Sequence, residues 1–204
     1  MTKFAEQKAL RRAQARAASR TGILDAARRV AAHGEGRDLS LRNVAAEAGF
    51  APAALYGYFA NKDELLLALA ADDLATLART MRDAATHPAG QGRLGAAVSA
   101  ALAVLKQSEC LAAVPGALSA TPGPGLAIRP SDCERLFNGR LIAVLKVLSD
   151  AAGNRLDNRQ GQCDSVLVAA AVAGLALLAR TGRLEALGFS PEEILKRLDQ
   201  RFGA

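Results

Sequence analysis

The side chains best equipped for bond-making chemistry are few and scattered along this chain. Three cysteines (Cys110, Cys133, Cys163) and two histidines (His33, His87) share no metal-ligand spacing, so no metal centre is expected. An odd number of widely separated cysteines does not make a disulfide framework either. Cys133 has Arg129 and Arg135 near it in sequence, a setting that favours thiol ionisation, whereas Cys110 follows Glu109. Buried, inert thiols are the reading adopted for all three. There is no glycine-rich phosphate loop at a strand–helix junction, no nucleophile elbow and no histidine set beside a nucleophile. Neither enzymatic activity nor a cofactor is expected, and the pair Asp72 and Asp73 reads as a solvated face.

Positive charge is the chemistry that the sequence does concentrate. The net charge is +6 over 204 residues; residues 1–62 hold 11 Lys/Arg against 5 Asp/Glu, and residues 63–204 hold 15 of each. The whole excess lies in the first third, which marks one end of the chain as the part that meets a polyanion. Arg11, Arg12, Arg16 and Arg20 lead that excess. They fall in residues 1–20, a basic, Ala-rich arm without a sustained apolar face, placed to follow a nucleic-acid backbone or enter a minor groove. The N-terminus lacks the apolar segment of a signal peptide. The uncharged apolar stretch from Ser165 to Ala179 falls short of the roughly 20 residues a bilayer needs. A cytoplasmic protein without membrane partners is expected.

The elements that would position these charges are helices. Ala, Leu and Arg are abundant, β-branched and aromatic residues sparse, and tryptophan absent, so an all-α fold is expected. From Thr21 the residues Ile23, Leu24, Ala27, Val30 and Ala31 recur at helical spacing until the break beginning at His33 and Gly34. Ser40 suits the N-cap of a short helix from Leu41 to Ala48 that Gly49 ends. Pro52 suits the first turn of a third helix running to about Phe59. Asn61 with Glu64 makes a capping-box pattern for a long helix to about Ala85. Further helices are expected over about Gln91–Gln107, Glu109–Val114, Ser131–Ala152 and Gln160–Thr181. A last one, capped by Ser190, runs through Arg201. Residues 115–130, with four Pro and three Gly, cannot be helical throughout.

Between Ser40 and Lys62 the pattern becomes specific. A helix-turn-helix needs a small residue where two helices cross, a glycine tolerant of positive φ in the turn, and apolar residues seating the second helix on the first. Ala45, Gly49, Phe50 and Leu55 supply these in order. With the Ala48-Gly49-Phe50 turn, the pairs Leu55-Tyr56 and Tyr58-Phe59, and Asn61-Lys62 followed by an acidic residue and Leu65, residues 20–70 resemble the tetracycline-repressor (TetR) family of bacterial regulators. That resemblance implies a DNA-binding domain over residues 21–67 and a helical ligand-binding and dimerisation domain over 68–204. It places the recognition helix, Pro52 to Tyr58, in the major groove of double-stranded DNA. By position, Ala51, Pro52, Ala53, Ala54 and Gly57 face the DNA; Tyr56, Tyr58 and Lys62 contact phosphate or sugar; Ser40 and Arg42 touch the backbone or a flanking base. Arg16 and Arg20 join them from the arm. The chain departs from the family in having Ala at 51 and 54, where hydroxyl residues are usual, and Gly at 57. Direct base readout, about 1–3 kcal/mol per good bidentate pair, is expected to be meagre from such a helix.

The remaining two thirds carry less specific signals. The run from Val166 to Leu178 is apolar nearly all round, which implies burial on more than one face. With the last helix it is expected to form half of a four-helix homodimer interface through Val166, Ala169, Ala170, Ala173, Leu177, Ile194 and Leu198. Ligand-pocket candidates are Val98, Leu102, Leu105, Leu118, Leu126, Phe137 and Leu141, most of which also suit plain core. Only Phe137 is aromatic, so an aliphatic or compact inducer would suit such a pocket better than a stacked planar one. The function expected is a ligand-responsive regulator, a repressor that binds a palindromic operator as a homodimer and is released by a small apolar inducer. The alternatives are a constitutive or architectural DNA-binding protein, and an interaction protein that recruits a partner through its apolar helix.

Overall fold

The computed structural model describes residues 3–33, 39–88, 92–108, 111, 131–153 and 158–203, and the regular elements among them are all helices. In chain order they are α1 (Lys3–His33), α2 (Leu41–Ala48), α3 (Pro52–Leu55), α4 (Lys62–Thr86), α5 (Arg93–Gln107), α6 (Asp132–Ala151), α7 (Arg159–Arg180), α8 (Arg183–Ala186) and α9 (Pro191–Phe202). The helix expected at Glu109–Val114 and the Pro/Gly-rich stretch fall almost wholly outside the described residues.

Local chemistry sets the helix ends. Ser40, extended at φ −139°, accepts the Asn43 N–H and starts α2; Gly49, at φ 72°, ends it. There the Phe50 N–H reaches the Ala45 carbonyl at 2.9 Å and the Gly49 N–H reaches that of Ala46 at 3.3 Å, the paired bonds of a left-handed helix cap. Asn61 accepts the Glu64 N–H at 2.9 Å, while the Glu64 carboxylate takes the Ala60 N–H at 2.8 Å, one residue earlier than in a strict capping box. Ser131 with Glu134 and Ser190 with Glu193 form complete capping boxes at α6 and α9.

Two boundaries differ from the sequence reading. Helix α1 does not begin at Thr21; it runs unbroken for 31 residues from Lys3. Residues 3–20 are therefore helix and not a loose arm. Ala, Arg, Lys and Gln are strong helix formers, and summed over such a stretch their propensity needs no apolar face to act. Helix α3, in contrast, stops at Leu55, and the chain turns from Tyr56 to Tyr58.

The core runs through both halves of the chain. Ile23, Ala45, Leu55, Phe59 and Leu65 are fully buried at the N-terminal end, and Leu69, Met81, Leu94, Val98 and Val168 continue the same cluster. Helix α4 passes between the halves, packing on α5 and α6. Helix α9 lies on α5 and α7, locked by Asp199, whose carboxylate accepts the Gly95 N–H at 2.7 Å. A Cβ on Gly95 would lie 2.8 Å from that carboxylate, so a larger residue there would have to displace the Asp199 side chain.

Candidate nucleic-acid interface

Helices α1 to α3 build the helix-turn-helix. Ala45, with no side chain beyond Cβ and no exposure, lets α2 and α3 approach, and Leu55 seats α3 against α2. The arrangement leaves Ala51, Pro52, Ala53 and Ala54 exposed, and Tyr56 is 63 % exposed. Gly57 is exposed as well, and Lys62 stands exposed at the first position of α4. Arg42 is exposed near the start of α2, where Ser40 is half-buried and spends its hydroxyl on the helix cap. Most of the expected reading residues are thus exposed, and residues 51–58 among them offer methyl groups and two phenols in place of the bidentate donors that read base edges.

Three side chains on this face are not free rods. Tyr58 is half-buried, its ring edge-on to Phe50 with centroids 6.3 Å apart. Arg16 lies with its guanidinium carbon 5.0 Å from the Tyr58 ring centroid and donates from Nη2 to the Gly57 carbonyl at 2.6 Å. Arg20 corrects an expectation: it is half-buried and turned inward, 5.3 Å from the centroid of the buried Phe59 ring. Its Nη2 is 3.9 Å from the Cys133 sulfur of α6. The reason is phase. One helical turn separates Arg16 from Arg20, so both point at the segment that follows α3 and not outward along the arm. Arg11 and Arg12 remain exposed.

A second polar cluster joins α1 to the rest of the chain. Arg28 Nη2 lies 2.7 Å from Asp72 and 3.1 Å from Asp73, both on α4. Burial works against the charged guanidinium, but the bonds to Asp72 and Asp73 outweigh it and hold its pKa above the ordinary arginine value. The Ser108 hydroxyl, at the end of α5, donates to Asp73 at 2.6 Å, and the Ser108 carbonyl accepts from Arg180 of α7 at 3.0 Å. Asp72 and Asp73 are therefore a junction and not merely a solvated face. Arg29 pairs with Glu47 at 2.6 Å and ties α1 to α2.

The other expected sites are distributed as follows. Val98, Leu102 and Phe137 are core residues, Leu105 is half-buried against the core, and Leu141 is exposed on α6; Leu118 and Leu126 lie outside the described residues. Leu102 borders a cleft between α5 and α9 with Ser99, Lys106 and Lys196. On α7, Val166, Ala170, Ala173 and Leu177 are exposed and Ala169 is half-buried, whereas Val168, Val172, Leu175 and Ala176 are buried. Ile194 and Leu198 are packed against the core, because the apolar face of α9 turns inward. The exposed apolar surface instead continues from Val166, Leu167 and Leu177 onto Ile142 of α6, 66 % exposed. A cleft of 680 Å³ between α6 and α7 interrupts it, with Cys163 and Lys146 on its walls. Helix α7 is long and apolar enough to cross a membrane, but its buried stripe packs on α5 and α6. Cys133 is buried and Cys163 exposed, and Cys110 lies outside the described residues. Burial raises the Cys133 thiol pKa, although the Arg20 bond opposes it. The described residues hold no group of three His, Cys, Asp or Glu able to bind a metal ion.

A capped α2, a positive-φ glycine turn and a short third helix exposed beside a basic helix define a helix-turn-helix DNA-binding protein with a helical C-terminal body. Residues 23–69 match the model of the bacterial regulatory proteins, tetR family. Similar folds are found in a TetR transcriptional regulator from Rhodococcus sp. RHA1, with 18% identity and a TM-score of 0.66 over 92% of this chain and 97% of that one. A TetR-family regulator from Streptomyces coelicolor is 23% identical, with a TM-score of 0.58 over 90% of this chain and 99% of that one. The transcriptional regulator FadR from Bacillus subtilis, in complex with stearoyl-CoA, is 16% identical, with a TM-score of 0.57 over 90% and 97%. At these identities the likeness is one of fold. No curated protein matches the chain significantly in sequence.

Proposed function

We propose that the chain is a cytoplasmic, homodimeric repressor that binds a palindromic operator and is released by a small apolar ligand. The observation that carries this reading is the pairing of an exposed helix-turn-helix with an unpartnered apolar face on α6 and α7. Exposed Val166, Leu167, Leu177 and Ile142 form the kind of patch that monomers rarely leave uncovered. A second copy covers it best, because two helices from each chain make a four-helix packing and pair the reading heads for two half-sites. This assigns the dimer face to α6 and α7 in place of α7 and the last helix. An apolar inducer is supported by the carbon-rich interior and by the stearoyl-CoA in the similarly folded FadR. Release needs only that the ligand bind better to the dimer geometry with mismatched half-site spacing.

A second reading, constitutive or architectural DNA binding, is favoured by the absence of donors on Ala51, Pro52, Ala53 and Ala54. One experiment separates them. The full chain is used to enrich duplexes from a random library, and the enriched and scrambled duplexes are titrated under rising salt. Strong preference for a palindrome, with a thermal-midpoint rise in a fatty-acid and acyl-CoA panel, supports the regulator. A small specificity ratio supports the architectural protein.

A further inference from the structure

We propose that Arg16 is a positioning residue for the recognition turn: it acts through Gly57 and Tyr58 and does not serve as a phosphate contact. The proposal rests on the DNA-binding reading for its consequence, but its geometry stands without DNA.

Helix α3 is one turn long, Pro52 to Leu55, and has little of its own to hold its end in place. Its exit is tight: the Gly57 N–H takes the Ala54 carbonyl at 3.1 Å, and the Tyr58 and Phe59 N–H groups both take that of Leu55. The carbonyls at such an end lie beyond the last helical donors and carry the negative pole of the turn. Arg16 answers both needs, donating to the Gly57 carbonyl at 2.6 Å and placing a cation there. The same guanidinium covers the Tyr58 ring at 5.0 Å, and Phe50 meets that ring edge-on. Tyr58 is thereby held by two neighbours, and its phenol direction follows from α1 and from the Gly49 turn. One turn later Arg20 repeats the device on Phe59 and reaches Cys133 of α6, so the clamp on residues 57–59 is anchored to the body of the protein. A reading helix with so few base-contacting side chains depends on where its phenols point. An arginine that sets this direction contributes to specificity without touching a base or a phosphate.

The chain has two tyrosines and no tryptophan. In a Tyr56→Phe background, tyrosine emission comes from Tyr58 alone and reports on the clamp. Arg16→Ala is expected to at least double the acrylamide quenching of that emission while the thermal midpoint holds; unchanged quenching overturns the proposal. Should Arg16→Ala lower the midpoint, Arg16→Met, which keeps the apolar stem without the donors, gives the same test. On DNA, Arg16→Ala is expected to weaken binding to the enriched duplex about tenfold, the loss of one charge-assisted bond, and to change scrambled-duplex binding less than twofold. The slope of affinity against salt is expected to stay put. Equal losses on both duplexes, with the slope reduced by about 0.9, would make Arg16 a phosphate contact and overturn the proposal. A wild-type chain that enriches no duplex would refute the DNA-reading function, leaving the quenching result to decide the clamp.

Discussion

Asp73 is the most exposed to test of the residues that hold α1 to the C-terminal body. Its carboxylate takes the Arg28 guanidinium at 3.1 Å and the Ser108 hydroxyl at 2.6 Å, and its side chain is 18% exposed. The neighbouring Asp72 bonds the same guanidinium at 2.7 Å but is 56% exposed. Bonds to charged groups contribute about 1.5–3 kcal/mol when shielded, and exposed pairs about 0–1 kcal/mol. Arg28 is itself partly open to water, so Asp73→Ala is expected to cost about 2 kcal/mol, discounted for that access. For a chain of this size that is a fall of about 4–8 °C in thermal midpoint. Asp72→Ala is expected to cost roughly 0.5 kcal/mol, a fall of about 1–2 °C. Asp73→Asn, which can still accept from Ser108 but lacks the charge, should fall between them. Thermal unfolding followed by circular dichroism ranks the three. Equal effects of the two alanine variants, or an Asp73→Ala cost below about 0.5 kcal/mol, would refute the claim that burial and the Ser108 bond make Asp73 the junction.

Three further outcomes follow from other parts of the molecule. Leu177→Glu and Ile142→Glu are each expected to yield a folded monomer by size-exclusion chromatography with light scattering; dimers in both variants would exclude the α6–α7 face. In the monomeric Leu177→Glu variant, exposed Cys163 is expected to be alkylated much faster than Cys133, whose thiol is buried and whose pKa is raised, and peptide mapping after brief iodoacetamide treatment measures the order. Equal rates would mean that α6 opens readily at Arg20. The Glu193 carboxylate accepts the Ser190 N–H at 2.8 Å, and the bonds to Ser190 lower its pKa. A lowered folded-state value means that the cap's contribution is present above the unfolded glutamate pKa, about 4.3, and is lost as pH falls through the folded value. Amide shifts across residues 191–194 are therefore expected to show an acid step that Glu193→Gln removes, and its persistence would assign the step elsewhere.

What was legible in the sequence had local causes. Ser40, Gly49, Asn61, Ser131 and Ser190 act on backbone groups within a few residues, so the ends of α2, α4, α6 and α9 could be read within a residue or two. The start of α1 was not legible, because its first turns bury no stripe and helical periodicity is silent where nothing is buried. The placement of Arg16 and Arg20 was half legible: charge placement marked them as expected DNA contacts, but did not reveal that the segment after α3 lies across their face of α1. Ile194 and Leu198 show the same limit. Their spacing marks an apolar face, yet spacing does not say whether that face meets α5 of the same chain or a helix of another. Asp73 looked like surface because its partners, Arg28 and Ser108, are 45 and 35 residues away.

The continuous α1 changes what the basic N-terminus can do. Residues 3–20 extend about 27 Å as a helix, and a helix cannot thread a narrow minor groove as a flexible arm does. Exposed Arg11 and Arg12 are therefore better suited to phosphates along one edge of a groove, at positions fixed by the helix. Such contacts carry no base information, and neither do methyl groups from Ala53 and Ala54 beyond thymine recognition. Sequence preference then falls on DNA shape, which is read only if the contacts on the duplex keep fixed distances from one another. On the proposed reading, α1 would keep that spacing between Arg11, Arg12, Tyr56 and Lys62 through Arg16 at Gly57 and Arg20 at Phe59. A two-residue alanine insertion between Arg12 and Arg16 would rotate Arg11 and Arg12 by about 200° while leaving the clamp in place. Loss of preference for the enriched duplex, with scrambled-duplex affinity retained, is the expected result; unaltered preference would show that the arm contributes charge alone.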